Sequence, residues 1–328
     1  MMVDTHAHAH FNAYKGDMDE VIKRSLAKGV IMNLVGTQRD TSKKGVAVAE
    51  KYDGCYASVG LHPEHLFSKH VDEEETPFRS REEHFDYEYY RTLAQNSKVI
   101  GIGECGLDLY RIPEGLTASE MLPRQTEVFK AHIKLAQDLQ LPLVIHCREA
   151  HAELIDILSS DVIPTEFTRV EESSRSSIDS SAPSRSALNN KEQKMSTHND
   201  NIKKQNTLRG TIHCYTSNWQ NAQKYLALGF YLGFTGVITF PPQKANPGAQ
   251  ADLLEVVAKI PLDRILLETD CPYLSPLPYR GKRGEPWMVE ATAQKIAEIR
   301  GLGLDQILEI TTANALRLFT KIGGYTSS

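Results

Sequence analysis

Short apolar runs alternate along the chain with stretches whose apolar positions recur every three or four residues. Eight runs read as strands: residues 3–6, 30–35, 56–61, 99–104, 142–146, 211–214, 231–234 and 264–268. Each is bounded by Gly, Pro or a charged residue. Helical periodicity follows them at 17–28, 41–51, 86–95, 124–140, 150–158, 217–228, 249–259 and 286–300. Strand and helix alternating eight times predict parallel βαβ units. Near-continuous apolar runs fit strands covered on both faces. The expected fold is α/β, a (β/α)8 TIM-type barrel rather than an open doubly wound sheet. A last helix over 304–320 is expected to pack outside.

Two stretches interrupt the rhythm. Residues 67–85 are charged, contain the acidic run Asp72–Glu75, and read as a solvated loop. Residues 166–205 are dominated by Ser, Asn, Lys, Arg and Glu, with Phe167 the one aromatic. That composition buries too little apolar surface to offset the entropy of ordering. It predicts a disordered insertion between helix 5 and strand 6, inside a single domain spanning 1–328.

Composition narrows the function classes. The 328 residues carry 37 basic and 42 acidic side chains, for a formal charge of -5. This excludes a histone-like, wholly basic mode of nucleic-acid binding and leaves a local basic patch open. No apolar run reaches about 18 residues, and the first ten are acidic and histidine-rich, so neither a membrane span nor a signal peptide is expected. Five cysteines in so long a chain read as reduced thiols of a cytoplasmic protein.

The chemistry gathers at strand ends. His6 and His8 are two apart on an extended chain and face one way. Glu104 ends the fourth run among glycines, His146 the fifth, His213 the sixth, and Asp270 follows the eighth. A lone strand-end histidine is usually structural, but a barrel brings every strand C-terminus to one rim, where active sites sit. Four imidazoles with two carboxylates suit a divalent metal. Six ligands exceed what one tetrahedral ion needs, and two ions sharing a carboxylate use them all. Zinc, manganese and magnesium are not distinguished. Cys105, Cys147, Cys214 and Cys271 each directly follow a candidate ligand, and period two turns them toward the helix layer as small apolar groups.

The stretches Val3-Asp4-Thr5-His6-Ala7-His8, Gly60-Leu61-His62-Pro63, Gly103-Glu104-Cys105-Gly106-Leu107-Asp108, Ile145-His146-Cys147-Arg148, His213-Cys214-Tyr215-Thr216, Glu268-Thr269-Asp270-Cys271-Pro272 and Arg280-Gly281-Lys282-Arg283-Gly284-Glu285-Pro286 are spread over nearly the whole chain. In their order the chain resembles the TatD-type metal-dependent deoxyribonucleases, amidohydrolase-like barrels. The resemblance implies that His6, His8, Glu104 and Asp270 hold one ion and that Glu104, His146 and His213 hold a second. It also implies that Asp270 deprotonates the attacking water. Gly284 stands where that family usually has asparagine, and the 166–205 insertion is not a family feature.

The expected function is therefore a metal-dependent hydrolase, a deoxyribonuclease cleaving DNA phosphodiester bonds with Asp270 and Glu104 catalytic. His62, Arg148, Arg280, Lys282 and Arg283 are the expected substrate-binding residues, because they lie at the same rim and bring positive charge to phosphates. An amide or lactone hydrolase on the same scaffold is the alternative, since fold does not fix function. A scaffold protein binding partners through the serine-rich insertion is a third reading. The expected assembly is a monomer or weak oligomer, without membrane attachment.

Overall fold

The structure is a computed structural model that describes residues 1–67, 69–71, 78–80, 82–161 and 208–323. Its strands are β1 (Met2–Ala7), β2 (Val30–Val35), β3 (Cys55–Val59), β4 (Lys69–Val71), β5 (Phe78–Ser80), β6 (Val99–Asp108), β7 (Leu143–Arg148), β8 (Gly210–Ile212), β9 (Tyr231–Phe234) and β10 (Ile265–Leu267). Eight of them form one parallel sheet in the order β1-β2-β3-β6-β7-β8-β9-β10. The first and last strands meet at the C-terminal rim, where Asp270 N donates to His6 O at 2.9 Å and His8 N to Cys271 O at 2.8 Å. The sheet is thus a nearly closed barrel.

Helices alternate with these strands: α1 (Met18–Ala27), α2 (Arg39–Lys51), α3 (Tyr87–Ala94), α4 (Ala118–Leu139), α5 (His151–Asp161), α6 (Trp219–Ala227), α7 (Pro247–Lys259), α8 (Val289–Arg300) and α9 (Leu304–Leu318). The (β/α)8 expectation holds. The segment 166–205 lies outside the described residues, between α5 and β8, as does the acidic run at 72–75. Around that run, the stretch expected to be a loop carries the antiparallel pair β4–β5.

Alternate positions on each strand feed two cores. On β2, Val30, Met32 and Leu34 pack among the helices. Ile31 turns the other way and joins Val3, Tyr56, Ile100, Val144, Tyr231 and Leu266 inside the barrel. Ala315, Leu318, Phe319 and Ile322, from α9 and just beyond it, belong to the same inner cluster, with Phe319 fully buried. The terminal helix therefore does more than cover the outside as expected. Its apolar end closes the bottom of the barrel, at the opposite mouth from the rim where active sites sit in this fold.

Candidate metal centre

The six residues singled out at strand ends all reach that rim. His6 and His8 leave β1 on one side, helped by a register shift between Asp4 and Ala7. Asp4 holds this turn against the segment after β10. Its carboxylate accepts from His6 N at 3.2 Å, Thr269 N at 3.0 Å and Thr269 Oγ1 at 2.6 Å. Asp270 is thereby carried across to the histidines. Glu104 comes from β6, which runs four residues beyond its expected end, His146 from β7, and His213 from one residue past β8.

The two oxygens of Glu104 face different groups. Oε2 lies 3.3 Å from His6 Nε2 and 3.9 Å from His8 Nε2. Oε1 lies 3.2 Å from His146 Nδ1 and 3.4 Å from His62 Nε2. Asp270 Oδ1 sits 3.2 Å from His8 Nε2, 3.6 Å from His213 Nε2 and 3.8 Å from His6 Nε2. His6 also stacks on His213, ring centroids 3.4 Å apart. Asp270 and His146 keep 16% and 17% of their side chains exposed, which makes them the open side of an otherwise buried cluster.

Hydrogen-bond partners behind the rings fix the tautomers. His8 Nδ1 lies 2.7 Å from Val35 O, so Nδ1 carries the hydrogen. His213 Nδ1 donates to Glu268 Oε2 at 2.8 Å, and His146 Nε2 to Asp108 Oδ2 at 2.9 Å. Each ring then turns its other nitrogen, a lone pair, toward a carboxylate oxygen. Acceptors at 3.2–3.6 Å repel unless a proton or a cation lies between them. Imidazole and carboxylate donors in this arrangement, oriented by outer carboxylates, fit a divalent metal.

Protons take that place when metal is absent. Burial works to lower His146, but Asp108 and Glu104 outweigh it and push the ring up to about 10. Burial is likewise outweighed at His213, where Glu268 and Asp270 push the ring up to about 9. Burial would raise Asp270, yet His213, His8 and His6 hold it below the usual carboxylate range. His6 goes the other way, down to about 4, through burial and the neighbouring His213.

Three sets of donors lie close enough to share an ion among the described residues: His6, His8 and Asp270; His6, His213 and Glu268; His62, Glu104 and His146. The first holds three of the four residues that the resemblance implies for one ion, without Glu104. The third contains His62, whereas the resemblance pairs His146 with His213. His62 Nδ1 accepts from Glu64 N at 3.1 Å, so its Nε2 bears the hydrogen. It faces Glu104 as a donor, not as a lone pair.

The expected substrate-binding residues separate. Arg148 is half-buried, its guanidinium 3.9 Å from the Tyr110 ring centroid. Arg280 lies over Phe240 at 4.0 Å, and Lys282 is exposed. Arg283 departs from the expectation. Its guanidinium is taken up by Asp17, with contacts of 2.8 and 2.5 Å, and by Ala13 O at 2.9 Å. It fastens the rim loop to the start of α1, so its charge is already matched.

Sequence reasoning passed over Asp108 and Glu268. Both stand inside motifs already singled out, four residues after Glu104 and two before Asp270. A second carboxylate near a ligand was the available signal. Cys105 of β6 and Cys147 of β7 follow the strand alternation: both are buried, and Cys147 Sγ lies against His151 of α5, while Cys271 is buried beyond the end of β10. Cys214 departs from the alternation, because β8 ends at Ile212 and Cys214 turns at φ 44° with its thiol beside Thr235.

A family model described as TatD related DNase matches residues 3–320. The uncharacterized metal-dependent hydrolase YabD of Bacillus subtilis is 33% identical over 97% of this chain and 99% of its own. A 3'-5' ssDNA/RNA exonuclease TatD of Cronobacter sakazakii is 30% identical, over 93% and 92%. Among solved structures, a TatD homologue from Escherichia coli K12 aligns with a TM-score of 0.69 at 24% identity, over 97% and 98%. That likeness speaks for the fold. With the donor cluster at the rim, these matches make the chain a metal-dependent hydrolase acting on ester bonds. The chain belongs to the TatD-related DNase family.

Proposed function

We propose that the protein is a nuclease that hydrolyses DNA phosphodiester bonds at a centre of two divalent ions, both of which Glu104 would help to hold. The observation that carries this reading is the division of Glu104, one oxygen toward His6 and His8 and the other toward His146. His6, His8 and Asp270 would complete one set, and His146 and His213 the other. Metals held there would supply Lewis acidity toward water and the phosphoryl oxygens. Asp270, open to solvent and held ionised, takes the proton from the attacking water. His62, its Nε2–H turned to Glu104 Oε1 at 3.4 Å, would orient that carboxylate and meet substrate beside it. Arg148, Arg280 and Lys282 draw in the polyanion, while Arg283 braces the loop that carries two of them. The nuclease name of the Cronobacter relative supports the substrate class.

The test is metal analysis of the purified protein coupled to assays with and without chelator. Hydrolysis of single-stranded DNA, lost on chelation and restored by the divalent ion, is expected. A metal-loaded protein that cleaves amides or lactones and leaves DNA intact would overturn the reading in favour of a carbonyl hydrolase. Asp270→Asn should keep the fold while losing turnover by at least about 100-fold. Glu104→Ala should lose both turnover and metal.

A further inference from the structure

Five large apolar side chains are exposed among the described residues, and their placement is uneven. Tyr110, Ile112 and Leu116, at 58%, 42% and 36%, all lie on the loop from β6 to α4. Leu277, at 46%, lies on the loop after β10 at the same rim. Only Met1 is elsewhere. Exposed apolar surface gathered at one place marks a binding surface.

Tyr110 is the largest of these groups and is fixed in place. Asp108 Oδ1 accepts from Tyr110 N and Arg111 N, each at 2.9 Å, while Asp108 Oδ2 faces His146 Nε2 at 2.9 Å. Leu109 N donates to Arg148 O at 2.9 Å. One carboxylate thus ties the Tyr110 loop to a candidate metal ligand. The Arg148 guanidinium covers one face of the Tyr110 ring at 3.9 Å, and the ring's high exposure leaves the other face to solvent. Arg148 itself has no carboxylate partner among the described residues, in contrast to Arg283.

The geometry points to Tyr110, backed by Arg148, as a stacking platform for an unpaired base of a single-stranded polynucleotide, beside the bond that is cut. This rests on the nuclease reading above. An aromatic face next to an unmatched cation is how proteins hold single strands without reading sequence, the base on the ring and the phosphate near the charge. A base inside a duplex has both faces covered by its neighbours and cannot use the platform. The enzyme should therefore favour single strands or frayed ends.

The experiment compares metal-loaded wild type, Tyr110→Ala and Tyr110→Phe on a single-stranded oligonucleotide and on the same strand with abasic sites. Tyr110→Ala should lower kcat/KM on the natural strand about tenfold, chiefly through KM, with metal content at the wild-type level. Tyr110→Phe should stay within about twofold of wild type. On the abasic strand the wild type should lose what Tyr110→Ala loses, and the variant little more, because the two changes remove one contact. Tyr110→Ala within about twofold on the natural strand, or an equal loss on both strands, would overturn the platform and leave the nuclease reading intact. A wild type that is loaded with metal and cleaves neither strand would remove that reading and the platform together.

Discussion

Glu268 and Asp108 stand behind the site and decide which nitrogen of His213 and His146 faces it. Glu268 is fully buried and also accepts from Cys214 N at 2.9 Å. Room for it comes from Gly233, where a Cβ would lie 2.1 Å from Glu268 Oε1. Outer carboxylates of this kind are worth about 10–100-fold in metal affinity. Glu268→Gln and Asp108→Asn are each expected to weaken binding by that amount with the fold retained, read from cobalt titrations of apo protein. Unchanged affinity in both would mean that the rings are held by packing alone. The raised rings set the pH dependence. His146 near 10 and His213 near 9 must give up protons to bind metal, so affinity should climb as pH rises from about 6 toward 9, about tenfold per unit for each proton released. Calorimetry in buffers of different ionisation enthalpy would count those protons, and a flat affinity over that range would contradict the assignment. The six candidate ligands were legible because strand period and strand ends leave one direction for a side chain. The partner of Arg283 was not legible, because a basic run does not show which of its charges an acid such as Asp17 matches. Gly284 has a local reason: a Cβ there would lie 3.0 Å from Tyr273 O and 3.1 Å from Pro272 O.

Elements were readable where apolar period dominates and less so where capping decides. The sequence placed the start of α4 after Pro123, yet the helix begins at Ala118. Thr117 and Glu120 form a capping box, with Thr117 N donating to Glu120 Oε2 at 2.8 Å, and this secures a first turn that proline alone would argue against. The same helix carries His132, buried beneath the rim. His132 Nε2 accepts from Leu61 N at 3.0 Å, Nδ1 lies 2.8 Å from Val128 O, and the ring packs on Phe85 at 4.0 Å. It therefore holds the chain one residue before His62, and it does so as a neutral ring, pushed down to about 4 by burial. A histidine whose folded pKa lies below the unfolded value of about 6.5 gives stability that is complete above that pH and is lost as pH falls toward 4. The expected loss is about 2 kcal/mol between pH 7 and pH 5 for this group. His132→Leu should be less stable at pH 7, since Leu61 N loses its acceptor, but should lose less on going to pH 5. Urea midpoints at the two pH values measure this, and an equal acid loss in both proteins would place the titration elsewhere.

Across the whole molecule the two ends of the barrel have different work. The rim carries the imidazoles, the carboxylates and the exposed apolar loop. The bottom is sealed by Phe319 and Ile322 and tied by Arg209, whose Nη2 donates to Gln140 O at 2.9 Å at the end of α4. Arg209 is also where the chain re-enters the barrel before β8, and α5 ends on the same side at Asp161. Both attachment points of the segment 166–205 thus lie at the bottom, as connections from helix to strand do in this fold. No candidate ligand comes from that segment, since His146 precedes it on β7 and His213 follows it after β8. Joining the ends by a shorter link alters loop-closure entropy by only about 0.6 kcal/mol per halving of length. Replacing 166–205 with a short Gly/Ser link should therefore leave metal content equal to wild type and hydrolysis within about threefold, a change of under about 1 kcal/mol in barrier. Metal analysis and kcat/KM on single-stranded DNA are the measurements. Loss of metal in the shortened chain, with its circular dichroism unchanged, would show that the segment reaches the rim and that the separation of the two ends is not what keeps it from the site.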